Sequence, residues 1–202
     1  VPVPRALEGL IQDASSLHRL VDSIQHFCEE QIASQAYQAA NLDFLKYVIA
    51  VAEGTKTTVS QVVADARLYP GRIDNYRLNL QTFKSFWQEL HLYAKPATDA
   101  HRLRIPAALL ILATEQLQQI EGMSGARVVT LLTPHLMYFQ LPHTEFKKLT
   151  ATLASTIAGA QLPNKLGFVE LPYSLAPNFL SNLIIYHELG HFVYEEMETA
   201  GP

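Results

Sequence analysis

The stretch that decides the C-terminal architecture is NLIIYHELGHFVYEEM, from Asn182 to Met197. It contains two histidines and a glutamate in the order H-E-x-x-H, at His187, Glu188 and His191. Apolar residues flank the motif on both sides, so we expect a helix buried on nearly every side; they are Ile184, Ile185, Leu189, Phe192 and Val193. A glycine inside a helix costs about 1 kcal/mol relative to alanine, so Gly190 suggests the close approach of a neighbouring strand.

Helical geometry gives the motif its chemistry. Residues four apart lie on one helix face, about 6 Å apart along the axis, so His187 and His191 can direct imidazole nitrogens at one point. A Zn²⁺ ion held there would lower the pKa of a bound water to about 7. Glu188 lies beside the first histidine but off the ligand face, where it can accept the proton of that water. We therefore predict His187 and His191 as zinc ligands and Glu188 as the catalytic base.

The segment IIYHELGHFV resembles the active-site helix of the zincin metallopeptidases. The resemblance covers only the end of the chain, with GFVELPY at 167–173 counted as an edge strand. It implies hydrolysis of peptide bonds, a Zn²⁺ cofactor and a peptide or protein substrate. The metzincin subclass would require glycine at 194 and histidine at 197, whereas this chain has Tyr194 and Met197. The resemblance is therefore to gluzincin-like enzymes, which take an acidic third ligand from a later helix.

A third zinc ligand is not evident in the chain. Glu195 shares the histidine face but lies about 6 Å further along the helix axis. His135, His143 and Glu170 each fall near a predicted strand end, and their spacing selects none of them. We expect the third ligand to lie beyond Pro202, on a missing C-terminal segment or a partner protein. Two histidines alone should bind zinc weakly.

The remaining chain divides by composition into two regions. Residues 1–122 predict a helical region, and residues 123–202 predict a zincin-like catalytic domain cut short at its C-terminus. The first predicted helix covers 6–38, and the second covers 41–54, with Asn41 as its cap and Gly54 at its end. A third runs from Thr58 to Pro70. A fourth ends before Pro96, and a fifth begins at Pro106.

Beyond Gly125, short β-branched and aromatic runs bounded by proline predict strands at 126–132, 136–141 and 167–173. A helix is predicted at 143–160, and the quoted stretch forms the last one. The predicted fold class is α+β, predominantly helical, with a small zincin-like sheet.

Composition narrows the function classes. The chain has 202 residues, a formal charge of −4 and a sequence pI near 6.1, so it lacks the strongly basic balance typical of nucleic-acid or membrane binding. Its single cysteine, Cys28, cannot form an internal disulfide, which favours a reducing compartment. The longest apolar runs, IPAALLILA and FLSNLII, are too short to span a bilayer, and no signal peptide opens the chain. We expect a cytoplasmic protein without membrane association.

Two hypotheses remain open. The first is a zinc-dependent endopeptidase. The second is a non-catalytic helical interaction or regulatory protein in which the H-E-x-x-H helix is vestigial. Residues 57–80 weakly suggest a helix-turn-helix, with Arg67, Arg72 and Arg77 as phosphate contacts, but a corner of a helical bundle is the simpler interpretation. An acidic E-x-x-D motif after residue 202 would favour the enzyme.

Overall fold

Three long helices form the N-terminal half of the protein. The computed structural model describes residues 5–101, 107–134, 139–140, 150–151, 153–154, 156–157, 166–174, 178 and 181–200. The helices are α1 (Arg5–Ser34), α2 (Ala39–Leu68) and α3 (Ile73–Asp99), and they pack on one another as a bundle. A short 3₁₀ turn, Pro70–Arg72, joins α2 to α3. None of the described helices is long and apolar enough to cross a bilayer.

Two predicted helix ends are wrong. Helix α2 runs without a break through Gly54, where the sequence predicted one helix to end before another began at Thr58. Val51, Thr55 and Val59 are buried on either side of Gly54, and this continuous packing outweighs the cost of about 1 kcal/mol for an interior glycine. Helix α3 likewise continues through Pro96 to Asp99, where the residues around the proline are again buried.

The bundle has a well-packed apolar core. Helix α1 confirms the predicted periodicity, because its buried residues recur every three or four positions, from Leu7 to Cys28. The single tryptophan, Trp87, is fully buried and donates a hydrogen bond from Nε1 to Thr55 Oγ1 at 3.0 Å. Its ring also meets Phe86 edge to face. The tryptophan thus joins α2 to α3 by both packing and a satisfied polar contact.

A small mixed sheet follows the bundle. Its strands are β1 (Arg127–Thr133), β2 (Phe139–Gln140) and β3 (Leu166–Pro172), in the spatial order β1–β3–β2. Strands β1 and β3 are parallel and β2 is antiparallel to β3. The strands predicted at 126–132 and 167–173 are confirmed, but the second was predicted as an edge strand and is the central strand of the described sheet, with β1 and β2 paired on either side of it. Of the strand predicted at 136–141, residues 139–140 are described and form β2, and the rest lies outside the described residues. Of the helix predicted at 143–160, residues 150–151 and 153–154 are described and helical, and most of the rest lies outside the described residues.

The sheet separates two apolar layers because successive side chains point to opposite faces. One face packs on the helical bundle; its residues include Val129, Leu131, Leu166 and Phe168. The opposite face packs against α4 (Ala107–Gln118) and the last helix, α5 (Ile185–Ala200); its residues include Val128, Leu132, Val169 and Leu171. The chain is therefore a predominantly helical α+β protein in which α5 lies across the sheet from the bundle.

Asn41 links α2 to the edge of the sheet. The sequence predicted it as a helix cap, and this is wrong, because α2 begins earlier and Gln38 holds the capping position. The Asn41 side chain is fully buried, donates to the carbonyls of Ala97 and Thr130, and accepts from the Thr130 backbone N–H at 3.1 Å. The apolar core, like this contact, includes residues from both sides of residue 122.

Candidate functional site

The histidines of the H-E-x-x-H motif converge on one point. Both are exposed on α5, and His187 Nε2 lies 3.2 Å from His191 Nε2. Two nitrogen ligands about 2.0–2.1 Å from a tetrahedral Zn²⁺ lie about 3.3–3.4 Å from each other. The two rings meet nearly at right angles, with centroids 4.8 Å apart. The pair therefore has the nitrogen separation that a shared zinc ion requires.

Glu188 lies on the core side of the same helix. Glu188 is only 8% exposed, and it shares the inward face of the helix with the buried residues Ile185, Leu189 and Phe192. The neighbouring imidazoles face solvent instead. Helix α5 thus presents two imidazole rings outward and holds a carboxylate at the border between those rings and the apolar layer.

The expectation that α5 is buried on nearly every side is wrong. Ile184, in the 3₁₀ turn Ser181–Ile184 that leads into α5, is 43% exposed. Tyr194 and Met197 on α5 are 62% and 58% exposed, because the sheet covers only one face of the helix. The Tyr194 hydroxyl donates a hydrogen bond to Glu198, and this bond raises the pKa of the tyrosine. The open face of α5 therefore carries the histidine pair together with exposed apolar side chains.

The close approach between helix and strand occurs at Gly167 and not at Gly190. A Cβ atom at Gly190 would meet no atom within 4 Å, so the predicted reason for this glycine is wrong. A Cβ atom at Gly167 on β3 would lie 2.9–3.1 Å from three ring carbons of Phe192. Gly167 was not identified from the sequence, although it opens the predicted strand GFVELPY. It lets α5 lie directly on the sheet.

Of the other candidate ligands, Glu170 does not join the pair. Glu170 belongs to the set of β3 residues that alternates with Gly167, Val169 and Leu171, so its side chain leaves the strand on the face opposite α5. His135 and His143 lie outside the described residues. In the part of the chain that the structure describes, no cluster of three or more His, Cys, Asp or Glu side chains could hold a metal.

Cys28 is unsuited to metal binding. It is fully buried in α1, and burial, together with the nearby Glu29 carboxylate, raises the pKa of its thiol to about 12. Because the thiolate is the form that binds metals, a thiol kept neutral at physiological pH is a poor ligand. Cys28 is therefore a core residue.

The arginines considered for nucleic-acid binding border the α2–α3 turn. Arg77 pairs with Asp13 on α1, with Nε 3.6 Å from Oδ2, and Arg72 stacks over the Tyr69 ring at 5.9 Å. Arg67 lies in the last turn of α2. The helices that meet at this turn have 30 and 27 residues and pack lengthwise in the bundle. Two of the three arginines thus have partners within the chain.

Comparison of the chain with protein-family models, with curated proteins and with solved structures found no match. Among the described residues, α5 carries the most specific chemistry.

Proposed function

We propose that this chain carries the metal-binding helix of a zinc-dependent peptidase, with His187 and His191 as ligands and Glu188 as general base. The observation that supports it most directly is the 3.2 Å separation of the two Nε2 atoms. In the absence of an ion the two rings are joined by an N–H···N hydrogen bond, and two ligands of one Zn²⁺ ion must lie at nearly the same separation. The zincin-like character of residues 123–202 is part of this proposal.

Each residue of the motif has a distinct task. The imidazoles of His187 and His191 bind the ion through neutral nitrogens. Zn²⁺ would supply Lewis acidity, which polarises a peptide carbonyl and acidifies water. Glu188 accepts the proton released from the attacking water and later returns it to the leaving amine. Glu188 lies at the border of the apolar layer, which limits its contact with bulk solvent. This position favours proton exchange with the attacking water over proton exchange with bulk solvent.

The edge of the sheet supports a peptide as the substrate. Strand β2 is the outer strand on the side of the described sheet away from β1, and it contacts α5. An extended peptide can add to such an edge through backbone hydrogen bonds. We place the third zinc ligand outside the described residues, on another part of the chain or on a partner protein.

Zinc binding is the first test of the proposal. The metal-free protein should bind zinc in a calorimetric titration, and His187→Ala and His191→Ala should each weaken binding strongly. His26→Ala is a matched control, because His26 is an exposed histidine on α1 that pairs with Glu30. Zinc binding that survives both motif substitutions would refute the metal site.

Proteolysis tests the base. Glu188→Gln keeps the size of the side chain and removes the proton acceptor, so zinc content and folding should stay nearly unchanged. Cleavage of unstructured peptides by the zinc-loaded protein should fall by about 100-fold or more. Equal cleavage by the variant would show that Glu188 is not the base.

The bundle supports a second candidate function, a helical interaction module. A groove of about 470 Å³ runs between α1 and α2. Its lining includes the apolar residues Ile11, Ala14, Val59 and Val63 and the polar or basic residues His18 and Arg19. Under this alternative the histidine helix is vestigial, and His187→Ala with His191→Ala would leave the binding of a partner unchanged.

A further inference from the structure

The open face of α5 combines metal ligands with an apolar surface. Around His187 and His191, the segment 183–197 exposes a set of large apolar side chains, which we call the apolar rim: Leu183, Ile184, Tyr186, Tyr194 and Met197. Such a concentration of exposed apolar groups on one short segment is typical of an interaction site. The rim and the histidines therefore belong to one surface.

The number of ligands that a zinc ion needs indicates which molecule would bind this surface. Zinc in proteins is almost always four-coordinate, and nitrogen from histidine is among its preferred ligands. His187 and His191 supply two such nitrogens at the required separation, and both rings are exposed. The side of the ion away from α5 would therefore face solvent, where a second molecule can reach it. A second copy of the same helix face offers the same two nitrogens and the same apolar rim.

We propose that Zn²⁺ joins two copies of this chain through α5, with His187 and His191 of each copy as its four ligands. The contact is isologous, so one surface pairs with itself and the assembly closes as a dimer. The apolar rim is buried around the ion on both sides of the symmetry axis. This inference rests on the zinc site of the proposed function but does not depend on proteolysis.

The dimer has a consequence for activity. Catalytic zinc sites keep one position for water or substrate, whereas sites with four protein ligands are closed. A dimer with four histidines on the ion is therefore a closed form of the site, and the peptidase would be active only when the two copies separate. Zinc and protein concentration together would set the fraction in the closed form.

The test is a titration of the metal-free chain with Zn²⁺ alone, followed by sedimentation velocity and by calorimetry. The mass should double, and the transition should be complete at about half an equivalent of Zn²⁺ per chain. His187→Ala and His191→Ala should each abolish the doubling, and His26→Ala should leave it unchanged. Met197→Lys keeps both ligands and places a charge in the apolar rim, so it should raise the protein concentration needed for the dimer.

The outcomes separate this inference from the proposed function. One zinc bound per chain with no change in mass would overturn the dimer and leave the peptidase site in place. A dimer that persists in the double histidine variant, or no mass change at any zinc concentration, would also overturn it. Dimer formation at half an equivalent, in a protein that cleaves no peptide even after dilution has separated the copies, would support the dimer and count against the peptidase.

Discussion

Gly190 lowers the stability of α5 without allowing a close contact in return. It is an interior helix position that is exposed, and a Cβ atom there meets nothing within 4 Å. Gly190→Ala should therefore raise the free energy of unfolding by about 1 kcal/mol, because alanine loses less backbone entropy on entering a helix. Chemical denaturation measures this change. A lower stability would mean that part of the folded molecule occupies the space beside Gly190.

The convergence of His187 and His191 was predictable because helix geometry alone brings positions 187 and 191 to one face. The spacing of four residues is a local property, and the two nitrogens do converge. Gly190 and Asn41 were misread because their surroundings come from distant parts of the chain. Asn41 resembles a helix cap in sequence, but its partners at Ala97 and Thr130 are 56 and 89 residues away.

At the scale of elements, the position of α5 depends on one contact with β3. Gly167→Ala would place a methyl group about 3 Å from the Phe192 ring, closer than the packing allows. We expect a loss of about 1–3 kcal/mol in the free energy of unfolding, as is typical of overpacked cores. Phe192→Leu replaces the ring with a smaller side chain, so the double variant should lose less than the sum of the two single losses.

Additive losses would show that Gly167 does not act through Phe192. A second measurement tests the link to the histidine pair: zinc affinity should fall in Gly167→Ala and recover in the double variant, since the shift of α5 is relieved there. Gly71 is a control, because a Cβ atom at this position in the α2–α3 turn meets nothing within 4 Å.

Helix identities were predictable and helix ends were not. The apolar periodicity of α1 is strong enough to define the helix locally. Gly54 and Pro96 are usual signs of a helix end, yet neither ends a helix, since tertiary packing on both sides of each residue outweighs the local preference. The parallel pairing of β1 with β3 was not predicted either, because register depends on contacts that no local pattern contains.

At the scale of the whole molecule, the bundle and the sheet share a core that spans residue 122. The apolar cluster of the bundle includes Val129, Leu131 and Phe168 from the strands, and Phe168 meets Phe44 edge to face with centroids 5.2 Å apart. We expect one cooperative unfolding transition for both parts. Fluorescence of Trp87 reports on the bundle, so Gly167→Ala in the sheet should lower the denaturation midpoint seen by Trp87. An unchanged midpoint would favour two units divided near residue 122.

Asn41 carries part of the coupling between bundle and sheet. Asn41→Ala would leave the buried Thr130 N–H without its side-chain acceptor and two carbonyls without their donor. We expect a loss of about 1–3 kcal/mol in the free energy of unfolding, the usual cost of a buried polar group left unsatisfied. Asn79→Ala is a matched control, because Asn79 is exposed on α3, and its effect should stay within about 0.5 kcal/mol. Equal effects of the two substitutions would remove Asn41 from this role.

The Asn41 side-chain amide also affects the behaviour of the protein in concentrated solution. A bare strand edge is a template on which strands of other molecules add, and this is a common route to fibrils and precipitates. The Asn41 side chain occupies the outer N–H and C=O of Thr130 in the way that a neighbouring strand would, and so closes the β1 side of the sheet to such growth. Loss of the Asn41 amide would therefore leave the outer edge of β1 open to pairing with strands of other molecules. Aggregation would then begin from the folded molecule, before any unfolding.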